Sequence, residues 1–146
     1  MGGQQPKTSK QQKEQLHKIP AGAKVWKSET SGKEYAVWKE GKYLHADWVD
    51  LLPQFAAKGA YIRSVLHREG SKWVGESQSY LPCSMGAGAE EHIANWCHVT
   101  TGIEIDSMTD TRVTGRGEAL KRFDCKTCKV LEKEWKEFVW VPKTKN

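Results

Sequence analysis

Short runs that alternate apolar and polar residues, punctuated by glycine-bearing turns, dominate the chain from Ala23 onward. Ala23-Lys24-Val25-Trp26-Lys27 and Glu34-Tyr35-Ala36-Val37-Trp38-Lys39 are β-branched and aromatic runs on either side of Ser31-Gly32, and they predict a hairpin. Residues 60–67 read as a strand, and Glu69-Gly70-Ser71 turns it back onto an antiparallel partner at 72–81. Residues 100–106 alternate like a further short strand. The stretch 130–141 fits a helical face through Leu131, Trp135, Phe138 and Val139, but its β-branched end favours a strand.

Other segments carry helical spacing. Residues 45–52 place Trp48, Leu51 and Leu52 on one face, with Asp47 near the start. Pro53 then starts a second short helix over 54–58, or kinks a single one, and Gly59 ends it. A helix over 89–96 has Glu90 and Glu91 at the positive end of its dipole, and another includes 118–123. The sum is an α+β fold: a small antiparallel sheet with helices on one face. It spans residues 21–141 as one domain, after a flexible basic arm over 1–20 and before a loose tail at 142–146.

At 146 residues there is one domain's worth of chain, 38% hydrophobic and 28% charged, which suits a soluble globular protein. No apolar run approaches the length needed to cross a bilayer, and no signal-peptide core follows Met1. That predicts a cytoplasmic protein with reduced thiols and no membrane partner. In that setting the four cysteines between Cys83 and Cys128 point to metal, because Cys125-Lys126-Thr127-Cys128 presents two thiolates at a spacing suited to tetrahedral zinc. The expected site is a structural zinc held by Cys97, His98, Cys125 and Cys128, a zinc-knuckle-like C-terminal segment, with Cys83 and His92 as substitute ligands. The alternative is that Cys83 and Cys97 are small buried thiols. Glu104 and Asp106 share one side of a strand and could hold Mg²⁺ in a nuclease, although a solvated strand face explains them as well. No nucleophile elbow and no His-Glu-x-x-His motif is present, so no enzyme is expected.

The formal charge of +5 is concentrated where Arg112, Arg116, Lys121, Arg122, Lys126 and Lys129 crowd one short segment. Seven tryptophans are many for this length, and indoles such as Trp73 and Trp135 beside cations could stack bases. From Gly41 to Phe123 the order of features resembles phage single-strand annealing proteins. The likeness lies in Gly41-Lys42-Tyr43-Leu44, in the 61–81 hairpin with Lys72-Trp73-Val74, and in 110–120, where Thr111, Gly115 and Arg116 match in register. The resemblance implies oligomeric rings or filaments that hold a single strand by its backbone, with Arg112, Arg116, Lys121 and Arg122 on phosphates. The expected function is therefore zinc-stabilised binding of nucleic acid, single-stranded DNA above all. The rival is a protein-interaction module that uses the same tryptophans as an interface.

Overall fold

Two tight turns set the register of the first half of the chain in the computed structural model, which describes residues 19–83 and 95–144. Strand β2 (Glu34–Glu40) meets β3 (Tyr43–Trp48) with Glu40 opposite Tyr43, and β4 (Tyr61–Glu69) meets β5 (Lys72–Pro82) with Glu69 opposite Lys72. Each pair is joined by two residues, of which the first is a glycine with positive φ, Gly41 at 62° and Gly70 at 63°. The second residue of each turn keeps negative φ, the II′ arrangement whose twist matches that of the strands.

The remaining strands are β1 (Lys24–Ser28), β6 (Trp96–Met108), β7 (Val113–Asp124) and β8 (Lys129–Pro142). Every strand pairs antiparallel with its sequence neighbour, and β8 returns to β1 with Ser28 opposite Trp140, so the sheet closes into an eight-stranded barrel. Closure pairs every strand with a neighbour on both sides over at least part of its length. Alternation along the strands sends Trp26, Val37, Leu44, Ala46, Leu66, Trp73, Ile103, Ile105, Val113 and Trp140 inward as one core.

This architecture replaces the expected α+β fold. Among the described residues the one helix is α1 (Pro53–Ala56), four residues long, with Pro53 in its first turn. The helix expected over 45–52 is β3, because Leu44 and Ala46 alternate into the core and Asp47 points the other way. The helix expected over 118–123 belongs to β7. Gly115 and Gly117 each cost a helix about 1 kcal/mol against alanine, whereas the strand tolerates both and uses Gly115 where the backbone of Glu104 crowds it. The helix expected over 89–96 lies mostly outside the described residues, and its last residue, Trp96, opens β6.

The barrel is not paired evenly around its circumference. The β6–β7 ladder ends at Ile103 opposite Gly117. Beyond that point β6 pairs only with β5, and β7 only with β8. Two long ribbons thus separate along a seam and pack through a second core of Cys83, Cys97, Phe123 and Cys125, flanked by Val99, Leu120 and Val130.

Candidate functional site

The four cysteines sit at the free ends of these ribbons, and they pair with one another. Cys83 bonds Cys125 and Cys97 bonds Cys128, with Cα separations of 5.8 and 5.4 Å. The zinc site expected at Cys97, His98, Cys125 and Cys128 is therefore corrected to two disulfides. The two thiols of the Cys-x-x-Cys turn are each committed to a different partner on the opposite ribbon. His98 lies on the other face of β6, where it stacks on Tyr80 with ring centroids 4.4 Å apart. The substitute ligand His92 falls outside the described residues, and the other substitute, Cys83, is in a disulfide. Among the described residues no group of three or more His, Cys, Asp or Glu could hold a metal ion.

The core fills the middle of the barrel and leaves a cavity at each end. At the end that carries the two glycine turns, a cavity of about 430 Å³ is floored by Trp26, Val37, Leu44, Trp73 and Ile105 and rimmed by Lys24, Lys39 and Arg68. The cations arrive there by parity: each lies two residues from an inward core position, Trp26, Val37 or Leu66. The Lys39 ammonium stands 5.6 Å and the Arg68 guanidinium 5.3 Å from the centroid of the Trp73 indole. Lys24 covers Trp26 at 4.5 Å and donates to the Asp110 carbonyl at 2.6 Å. Asp106, displaced at a β-bulge, is held by Lys72 at 3.4 Å. Neither Lys39 nor Arg68 has a carboxylate at ion-pair distance among the described residues.

The opposite end holds a cavity of about 450 Å³ bounded by Tyr35, Ser64, Ser77, Thr101, Phe138 and Trp140, and it reaches the seam at Gly102, Gly117 and Glu118. Tyr35, Trp140 and Phe138 stack in series at 4.9 and 4.8 Å. The Tyr35 phenol is pushed up to about 12, first by burial and then by the charge of Asp50. At the seam a Glu118 carboxylate oxygen accepts the Gly102 N–H at 2.7 Å and an ion pair from Lys133 at 3.1 Å. That backbone hydrogen bond is the main reason its carboxyl lies below the usual range, with Lys133 adding to it.

The expected nucleic-acid residues do not gather into one groove. Arg112, Arg116, Lys121, Arg122, Lys126 and Lys129 are exposed along β7 and its turns. Several carry carboxylate partners from neighbouring strands: Arg116 with Glu104 at 3.2 Å and Lys121 with Glu132 at 3.7 Å. Trp135, 43% exposed, takes the Arg116 guanidinium on its face at 4.7 Å. Trp73 is 8% exposed and belongs to the barrel interior. Glu104 and Asp106, the suggested Mg²⁺ pair, both lie within ion-pair distance of Lys72. Lys24, Lys39 and Arg68 had no distinguishing sequence motif, and only their parity with the core marks them. No family model, curated protein or solved structure matches the chain, so the meaning of the two cavities rests on their own chemistry.

Proposed function

We propose that this protein is a binding barrel, without catalysis, that holds a small organic anion with a flat apolar body at its cation-rimmed end. One observation carries the reading: Lys39 and Arg68 converge on the same inward-facing indole, and among the described residues neither has a carboxylate at ion-pair distance, the cavity's Asp106 being held by Lys72. Two like charges over one ring repel, and an anion seated between them converts that repulsion into attraction. The Trp26 and Trp73 floor supplies the apolar contact for the rest of the ligand. Eight-stranded barrels are the size that can enclose one small ligand, an analogy of fold that fits the cavity but does not name its occupant.

Calorimetric titration with 2-naphthoate and its uncharged amide tests this. The carboxylate is expected to bind at least about tenfold more tightly than the amide, and Arg68→Gln to remove about that factor. Equal binding of the two, or none, overturns the proposal.

A second reading, contact with single-stranded nucleic acid as the resemblance to phage annealing proteins implies, is favoured by the exposed Trp135 beneath Arg116. Its oligonucleotide affinity would fall steeply with salt and drop on Trp135→Ala, with Arg68→Gln neutral. The carboxylates interleaved with the β7 and β8 cations make it the weaker reading.

A further inference from the structure

We infer that the other end of the barrel is a second and independent binding site, built for a neutral hydroxylated ring of the mono- or disaccharide class. Its apolar surface is aromatic, from the stacked Tyr35, Trp140 and Phe138. Such rings accept the C–H faces of a sugar as readily as those of any apolar body. Its polar surface is made of hydroxyls: Ser64, Ser77 and Thr101 line the interior, with Ser28, Thr30 and Ser31 at the rim.

A hydroxyl both donates and accepts, the same capacity that a sugar hydroxyl presents. Ser64, 4% exposed, and Ser77 are hydrogen bonded to each other. Their mutual bond uses one of their two protons, which leaves a second proton and further lone pairs for an occupant of the cavity they line. A purely apolar occupant would leave those groups without partners. Of the charged side chains that line the cavity, Glu118 is already paired with the Gly102 N–H and Lys133, and Lys136 with Glu134. The volume of about 450 Å³ falls in the range of small-molecule clefts. The cavity reaches the seam at Gly102 and Gly117, where the β6–β7 ladder has ended.

Gly117 provides the decisive variant. It faces the cavity, its φ is not positive, and a Cβ built there meets nothing closer than the Gly102 carbonyl at 3.8 Å. Gly117→Leu should therefore fill the cavity and leave the barrel standing. Saturation-transfer NMR with maltose, cellobiose and lactose as probes is expected to show transfer onto the ring protons of at least one. Gly117→Leu, with its thermal transition as the control for folding, is expected to abolish that transfer. Should that variant not fold, Thr101→Val, which exchanges a hydroxyl for a methyl of the same shape, is expected to weaken the same sugar about tenfold. Absence of transfer to all three sugars overturns the inference, as does transfer that persists in a folded Gly117→Leu or affinity unchanged in Thr101→Val. None of these readouts involves the Lys39 and Arg68 end, so this site and the organic-anion site stand or fall separately.

Discussion

Asp47 is the most perturbed carboxyl among the described residues, and it lies outside both cavities. It is fully buried on the outer side of β3, with Oδ1 3.7 Å from Arg63 Nε. Burial pushes its carboxyl up to about 7, and the Arg63 charge only partly opposes this. A folded-state value above the unfolded one means that the native state holds the proton more tightly. The associated stability is fully present below about pH 4, the unfolded value, and is lost as pH rises through about 7. Asp47→Asn mimics the neutral acid, so its melting temperature should match that of the parent near pH 4 and exceed it above pH 7. The neighbouring His45 works in the opposite direction, since burial, followed by Arg63, lowers its value. Because both proteins carry His45, the difference between their melting curves isolates Asp47. A difference that does not change with pH would show that Asp47 is ionised throughout.

Among the elements, β5 and β7 depend on glycines in a way that the side-chain pattern does not reveal. A Cβ at Gly115 would lie 2.1 Å from the Glu104 carbonyl oxygen, and one at Gly75 would lie 2.0 Å from that of Val65. Both obstacles are backbone and cannot swing aside, so the strands come this close only where no side chain intervenes. Gly115→Ala and Gly75→Ala should each cost about 1 to 3 kcal/mol or more in denaturant unfolding. Gly117→Ala, two positions along the same strand, should be close to neutral. The same contrast explains which elements could be read from the sequence. The 61–81 hairpin was legible because β-branched and aromatic runs flanked a glycine turn, and the chain there followed its local pattern. The β3 segment was not, since Trp48, Leu51 and Leu52 imitate a helical face, and only pairing with β2 and β4 selects the period of two. Residues 110–124 misled in the opposite way: Glu118 to Phe123 are good helix formers, but the two glycines before them serve a barrel wall. Neither cavity was visible: Arg68 faces Trp73 across the 61–81 hairpin, but Lys39 reaches the same ring only once β2 and β3 are laid beside that hairpin.

For the whole molecule, the disulfides matter because of where the hydrogen-bond ladder stops. Past Ile103 and Gly117 the two ribbons are joined across the seam by the Glu118 contact to the Gly102 N–H, by the small core around Phe123, by a hydrogen bond that the Asn95 amide donates to the Cys125 carbonyl at 2.7 Å, and by two covalent links at the far end. Those links close stretches of 42 and 31 residues, and in the chain-entropy picture each restrains the unfolded state by about 4 kcal/mol. The Cys-x-x-Cys spacing suggested zinc because a cytosolic setting was assumed first. The same four thiols in oxidising surroundings have a different stable fate, and disulfides are rare in the cytosol of mesophiles. Two measurements follow. Protein isolated without reductant and denatured in excess iodoacetamide should gain no mass, since all four sulfurs are already bonded. Reduction should then lower global stability by about 2 to 5 kcal/mol. Amide exchange should rise first along 95–102 and 118–130, where the seam lacks a ladder, while the β2–β3–β4 wall remains protected. Uniform loss of protection would mean that the ribbons and the barrel melt as one unit. An unchanged exchange pattern after reduction would mean that the Phe123 core holds the seam without its covalent ties, and a barrel of that kind could also persist in a reducing cytoplasm.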